Sequence, residues 1–464
     1  MLRQILALSA FAFAVPAAAQ PLTAAESAAV DKLVTTTLAD TGVPSAEIAI
    51  VRDGKVVLDK AYGKASETLR ANPALPYQIA SNSKQFTAMA LLMLEDEGKL
   101  DLDDPVSKYL PGISGGDRIK LRQLLSHTSG LQDFWPQDYS FAAMGKPTTP
   151  QGIVDRWAKK PLDFQPGDQW QYSNTGYVVA GMIAEKVSGE PLVEFLTKRI
   201  FKPLGMTSVI DQDDATGPAF PTGYGRYALG PVRVVTPPAH GWLYAAGELS
   251  MTAGDLAKWD IARINRSLLP AGDWAEQETP VALNDGKDTG YGLGVFIRDS
   301  GGRKAITHTG EAVGFLSSNA VYPDDRAAIV VLTNSWSGDA SARIARELPK
   351  IVLPPPAQDA AAAAAEVKAR TVYDQLREGR LDRSLLTENA NYYFTPQVIA
   401  DYGSSLAPLG EPSGFEPAGP PRLRGGFVIQ GYEITYPGRT LELSTFYEPG
   451  TNGRIEQFLV TGAE

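Results

Sequence analysis

Ser81-Asn82-Ser83-Lys84-Gln85-Phe86-Thr87-Ala88-Met89-Ala90-Leu91-Leu92-Met93-Leu94-Glu95-Asp96-Glu97-Gly98 is the stretch on which the reading of this chain turns. Its apolar body predicts a helix from about Ser83 to Glu97, with Gly98 as the stop. Ser81 stands at the mouth of that helix. Lys84, three residues on, shares its face and can reach the hydroxyl. A serine hydroxyl is a poor nucleophile until a neighbour takes its proton, and an amine beside it can do that or steady the developing charge. The positive end of the helix favours an oxyanion at the same place. Taken singly, a Ser followed three residues later by a Lys turns up about once by chance in a chain of ordinary composition and this length. The motif therefore needs company.

Downstream, Tyr172-Ser173-Asn174 follows Gln165-Pro166-Gly167 and opens a second apolar helix containing Val178, Val179, Met182 and Ile183. A tyrosine, with a reference pKa near ~10, becomes a base near neutrality only where a cation such as Lys84 stabilises the phenolate. Asn174 can hold a substrate amide or Lys84. The alternative is that Tyr172 is a core aromatic and that Ser173 or Asn174 is only an N-cap. Later still, His308-Thr309-Gly310 lies between two late apolar strands, where Gly310 would let a substrate backbone approach a strand edge. The N–H of Glu311 could then join that of Ser81 as an oxyanion hole. The alternative for His308 is a turn or core-edge residue. There are three histidines, His127, His240 and His308, and no His-Glu-x-x-His helix, so a zinc site is not expected, and acyl transfer on a serine needs no metal or organic cofactor.

In this order the three elements resemble the serine β-lactamase and penicillin-binding-protein superfamily: Ser-x-x-Lys, then Tyr-x-Asn, then a variant of Lys-Thr-Gly. Further stretches are similar to the group of class C β-lactamases, family VIII carboxylesterases and D-amino-acid-specific peptidases. They are Ile79-Ala80-Ser81, Leu124-Leu125-Ser126-His127-Thr128-Ser129-Gly130-Leu131, Phe164-Gln165-Pro166-Gly167, Lys202-Pro203-Leu204-Gly205-Met206 and Tyr291-Gly292-Leu293-Gly294. The resemblance runs over about residues 25 to 350. It implies a mixed α/β (α+β) fold of the β-lactamase/transpeptidase type, with an antiparallel sheet and a helical subdomain. It also implies that Ser81 is the nucleophile, that Lys84 and Tyr172 handle protons, that Asn174 contacts substrate and Lys84, and that His308-Thr309-Gly310 is the substrate-binding strand.

Three positions depart from the family pattern. His308 stands where class C β-lactamases carry a lysine and is no permanent cation. Glu311 puts a negative charge where they carry a small residue, and Glu248 replaces a glycine usual in the relatives. The first two weaken capture of a substrate carboxylate. The expected substrate is accordingly a small ester or a D-amino peptide rather than a β-lactam hydrolysed efficiently. The competing expectation is a non-catalytic or slowly deacylating module that binds penicillin or peptidoglycan fragments. Trp242 and Tyr244 are second-tier candidates for the wall of the acyl pocket, with plain packing as the alternative. His127 is expected to order a turn. Gly112-Ile113-Ser114-Gly115-Gly116 matches the nucleophile elbow of α/β-hydrolases, but Lys108-Tyr109-Leu110-Pro111 before it predicts a surface loop.

Toward the N-terminus, Arg3, an apolar run from Ile5 to Val15 and Ala17-Ala18-Ala19 predict a signal peptide over residues 1–19, hence a periplasmic or secreted protein. No later segment is long and apolar enough to span a bilayer, and cysteine is absent. The net charge of -10 argues against nucleic acid as a partner, and oligomeric state is not legible. A helix from Thr23 to Ala39 and a hairpin across Asp53-Gly54 open the hydrolase domain, residues 22–352. Strands are expected at 292–297, 313–321 and 327–333, and a last helix at 340–347. Leu353-Pro354-Pro355-Pro356 begins a linker (353–365) to a C-terminal α+β domain (366–464) of nuclear-transport-factor-2-like or cystatin-like outline. Its aromatics, among them Tyr392, Tyr393, Phe394, Phe427, Tyr432 and Tyr447, fill a core or form a binding surface.

Overall fold

A computed structural model describes residues 20–336, 339–354, 360–419 and 421–462. The expected signal peptide, residues 1–19, lies outside the described residues. The chain divides into two compact units after Pro354.

The first unit opens with the helix Ala24–Thr41, started by a reciprocal capping box between Thr23 and Glu26 and ended by Gly42 at φ +71°. The hairpin follows as strands Ser45–Arg52 and Lys55–Gly63, turning through Asp53 and Gly54, both at positive φ. Late in the chain come Phe296–Asp299, Lys304–Ala312, Phe315–Tyr322 and Ala327–Thr333. Together they form one antiparallel six-stranded sheet in the order 55–63, 45–52, 327–333, 315–322, 304–312, 296–299. Both ends of the unit thus meet at the centre of one sheet.

The central strands are buried on both faces, with period two. Ala46, Ile48, Ile50, Ile329 and Val331 face a core shared with Val30, Val34, Ile344 and Leu348 from the helices 24–41 and 340–352. Ala49, Val51, Ala328, Val330 and Leu332 face the larger core of the helical region, where the helix Ala253–Asn265 lies on the sheet. Behind it, the apolar helix Lys84–Asp96 packs against Asn174–Ser188. Gly181 permits this region to close: a Cβ there would stand 2.2 Å from that of Ala245.

Two sequence expectations shift. The predicted strand 292–297 begins only at Phe296 and runs to Asp299, and 304–312 is itself a strand, so His308-Thr309-Gly310 lies within a strand and not between two. The buried positions of 304–312 include Ala305, His308, Gly310 and Ala312. Small residues and a histidine do not announce a strand as branched apolar residues do.

The second unit carries the helices Ala360–Arg377, Glu388–Tyr393 and Pro396–Leu406, then an antiparallel five-stranded sheet. The helix starting at Ala360 takes up the last part of the expected linker. The strands of this unit are Gly414–Pro417, Arg422–Arg424, Phe427–Tyr436, Arg439–Tyr447 and Ile455–Gly462. Val372, Tyr373, Leu376, Phe394, Tyr432, Ile434 and Leu443 make a separate core, whereas Tyr392 is 89% exposed.

Candidate active site

Ser81 is set by a strained approach. Ala80 adopts φ +49°, and Ala80–Ser83 forms a 3-10 turn that runs directly into the helix at Lys84. The nucleophile candidate therefore sits one turn ahead of the α-helix and not in it. Side chains pin this turn from both sides. Asn82 Nδ2 donates to Ser317 Oγ at 2.8 Å, Ser317 Oγ donates to the Ile79 carbonyl at 2.7 Å, and Leu249 N donates to Ser83 Oγ at 3.1 Å. Gly310 is part of the same joint: a Cβ there would fall 2.0 Å from the Ile79 carbonyl oxygen. Glycine here lets its strand approach the Ser81 turn closely.

Lys84 is fully buried. Its Nζ donates to Ser81 Oγ at 2.9 Å, to Asn174 Oδ1 at 2.8 Å and to the Ala246 carbonyl at 2.6 Å, and it lies 4.9 Å from the Tyr172 ring centre. Burial disfavours its charge and brings the amine down to about 7, against the opposing pull of Asp133. Lys84 is therefore poised to exchange a proton near neutrality.

Burial raises the Tyr172 phenol well above its ordinary value, and a hydrogen bond with Ser81 opposes this only in part. His127 fixes it from behind: it takes a left-handed backbone (φ +61°), its ring centre lies 4.1 Å from that of Tyr172, and its Nδ1 accepts the Ser173 N–H at 3.1 Å. Desolvation holds His127 well below its normal pKa, so it is neutral packing.

Ser173 caps the helix 174–188 by accepting from Gly176 N at 3.2 Å, while Asn174, at N1, turns its side chain to Lys84. His308 is 3% exposed, pairs through Nε2 with the Tyr291 hydroxyl at 2.9 Å, and is driven down to about 3 mainly by burial. It carries no charge at physiological pH. Past Thr307 the strand 304–312 has, among the described residues, no strand partner on its 296–299 side, which leaves the edge at 308–312 unpaired by them. Thr309 and Glu311 are exposed there, and Glu311 Oε1 accepts from the Trp336 indole.

Ser81, Tyr172, Asn174, His308, Thr309 and Glu311 meet in one cleft of about 530 Å³. Trp242 and Tyr244 do not line it; Leu243, between them, does. Trp242 is buried against Phe134, Phe141 and Trp157, with its indole N–H on the Lys146 carbonyl at 2.8 Å. Tyr244 packs toward Gly181. Ser114 sits in a surface turn away from the cleft, with its N–H on the Ala158 carbonyl. Sequence reasoning missed Asp133, Trp135, Asp138 and Trp336, which line the cleft, and Asp133 lies two residues beyond the quoted Ser126–Leu131 stretch. Among the described residues no three His, Asp or Glu side chains are grouped to hold a metal ion.

The Beta-lactamase family profile matches residues 30–353. A putative penicillin-binding protein, PbpX, of Bacillus subtilis is 30% identical over 289 residues, covering 61% of this chain and 69% of its own length. Penicillin-binding protein 4* of the same organism is 28% identical, covering 61% and 66%. Among solved structures, a D-stereospecific amidohydrolase from Streptomyces sp. is 31% identical with a TM-score of 0.60, over 69% of this chain and 97% of the other. The octameric penicillin-binding protein homologue from Pyrococcus abyssi, 22% identical with a TM-score of 0.63, shares the fold over 94% of this chain and 96% of its own. With a family match over most of its length and this constellation at its cleft, the chain belongs to the Beta-lactamase family and is a serine hydrolase of it.

Proposed function

We propose that this protein is an exported hydrolase that cleaves small esters or D-amino amides and peptides through an acyl-enzyme on Ser81. The observation that carries the reading is the buried Lys84 amine, held on Ser81 Oγ at 2.9 Å and lowered to about 7. Lys84 Nζ takes the proton as Ser81 Oγ bonds to the substrate carbonyl carbon. The N–H groups of Ser81 and Glu311 receive the oxyanion. Tyr172 passes its hydroxyl proton to the departing oxygen or nitrogen and is reprotonated from Lys84. A water molecule, deprotonated by the same pair, then releases the acyl group and frees Ser81.

Charge in the cleft supports the substrate class. Among the described residues that line it, Asp133, Asp138 and Glu311 are acidic, none is Lys or Arg, and His308 is neutral. A substrate carboxylate, as β-lactams carry, meets repulsion there; a neutral ester or a substrate with a free amine does not. The likeness to a D-stereospecific amidohydrolase and, at 27% identity and a TM-score of 0.59, to the D-amino acid amidase of Ochrobactrum anthropi SV3 supports the amide option. The leader-like residues 1–19 support export.

The test is turnover of p-nitrophenyl butyrate, D-alanine p-nitroanilide and nitrocefin by the mature protein and by Ser81→Ala. Faster turnover of the ester or anilide than of nitrocefin, lost in Ser81→Ala, is expected. Absence of both turnover and acyl adduct contradicts the reading. A single stoichiometric burst without turnover would make the protein a slowly deacylating penicillin-binding protein, the reading its relatives' names favour.

A further inference from the structure

Asn174 stands between two groups with opposite hydrogen-bonding character. On one side Lys84 Nζ donates to its Oδ1 at 2.8 Å. On the other, Asp133 presents only acceptors: Oδ2 takes the Asn174 Nδ2 hydrogen at 3.2 Å, and Oδ1 takes the backbone N–H groups of Asn174 at 3.0 Å and Trp135 at 3.2 Å. An amide placed between a carboxylate and an amine has one orientation that satisfies both. We infer that Asp133 is a positioning residue for the acyl transfer, its carboxylate locking the Asn174 amide with the oxygen toward Lys84 and anchoring the start of the 174–188 helix beside the nucleophile. This inference rests on the proposed acyl-enzyme.

Asp133 has a second effect through the same contact. The groups facing Lys84 are Ser81 Oγ, the Ala246 carbonyl, Asn174, the rings of Tyr172 and Tyr177, and the neutral His127 and His308. Asp133 is the carboxylate that acts on the amine, and it favours the charged form against burial. It thereby keeps Lys84 near neutrality instead of letting desolvation carry the amine lower still.

Substitution separates orientation from charge. In Asp133→Asn the new amide keeps its oxygen on the two backbone N–H groups and turns an NH2 toward Asn174. Asn174 must then flip or lose a bond, and a flip sets its NH2 against Lys84. Both changes disfavour the ammonium, so the acid limb of the pH profile moves down. Exchanging the pair, Asp133→Asn with Asn174→Asp, restores complementary bonds but puts the negative charge directly on Lys84, so the limb moves up. Asp133→Glu keeps the charge and misplaces the oxygens.

The experiment measures kcat/KM for p-nitrophenyl butyrate from pH 5 to pH 9, with the melting temperature of each variant. Expected are a loss of about 10- to 100-fold in Asp133→Asn with the limb below wild type, partial recovery in the exchanged pair with the limb above wild type, and a loss in Asp133→Glu with the limb unmoved. If Asp133→Asn stays within about twofold of wild type with an unmoved limb, or if the exchanged pair melts like wild type yet recovers nothing, the inference is overturned. Wild-type protein that neither turns over ester nor forms an adduct overturns the hydrolase reading itself.

Discussion

The two units of this chain differ in where they tolerate disorderly chemistry. Every Lys, Arg, Asp and Glu below a tenth of full exposure among the described residues, including Lys84, Glu248, Asp260 and Arg263, belongs to the first unit; the second buries Gln375, Thr387, Gln430 and Thr445, none of them ionisable. Non-glycine residues at positive φ also fall only in the first unit among the described residues, and three of them, Ala80, His127 and Tyr244, adjoin the cleft. Strain and buried charge cost stability and persist where surrounding packing holds them and function uses them. The second unit is locally consistent instead: its strands 427–436 and 439–447 alternate buried and exposed residues around an apolar core. The contrast places the buried charge and the non-glycine backbone strain of the described residues in the first unit.

If that contrast is sound, substitutions at the buried charges should act on rate while changes to the second unit should not. Ser81→Ala is expected to have the largest effect, lowering kcat for p-nitrophenyl butyrate by about 10³-fold or more, as measured in initial-rate assays. Lys84→Met comes next, with a loss of about 10²- to 10⁴-fold. Because it leaves the buried Asn174 Oδ1 and the Ala246 carbonyl without their donor, its melting temperature should also fall by several degrees. A large drop in melting temperature with retained activity would make Lys84 structural and erase the contrast.

The pH profile sharpens the same point. Lys84 must be neutral to accept a proton, and its amine lies at about 7. kcat/KM should therefore rise roughly tenfold per pH unit below that value and level off above it. His308, driven to about 3, adds no inflection between pH 5 and pH 9. The smallest effect is expected from removing everything after Pro354: kcat/KM for the small ester should remain within about twofold, since the first unit closes its own sheet and core. A collapse of activity in soluble truncated protein would show that the second unit serves the site.

Much of this was legible in the sequence because it is local. The hairpin at Asp53-Gly54, the helix after Ser81 and the three-residue step to Lys84 follow from neighbouring residues alone. The strand 304–312 was hidden because its buried alternating positions, Ile306, His308, Gly310 and Ala312, include a single branched apolar residue. Gly310 was read as an opening for substrate, yet the constraint on it comes from Ile79, more than two hundred residues away. Asp133 resembles any loop acid until Asn174 is folded against it. Trp242 and Tyr244 are candidates for the pocket wall by sequence, but Trp242 is buried among Phe134, Phe141 and Trp157 and Leu243 lines the cleft instead. The charge state of Tyr172 depends on burial, which spacing cannot reveal.

The central claim is that Ser81 carries the acyl group. Its most direct test is intact-mass and peptide mapping of the mature protein after brief exposure to p-nitrophenyl butyrate and, separately, to a fluorophosphonate. The account requires one adduct on the peptide containing Ser81, absent from Ser81→Ala. An adduct on another residue, Ser114 included, or no adduct at all in folded protein, would contradict it.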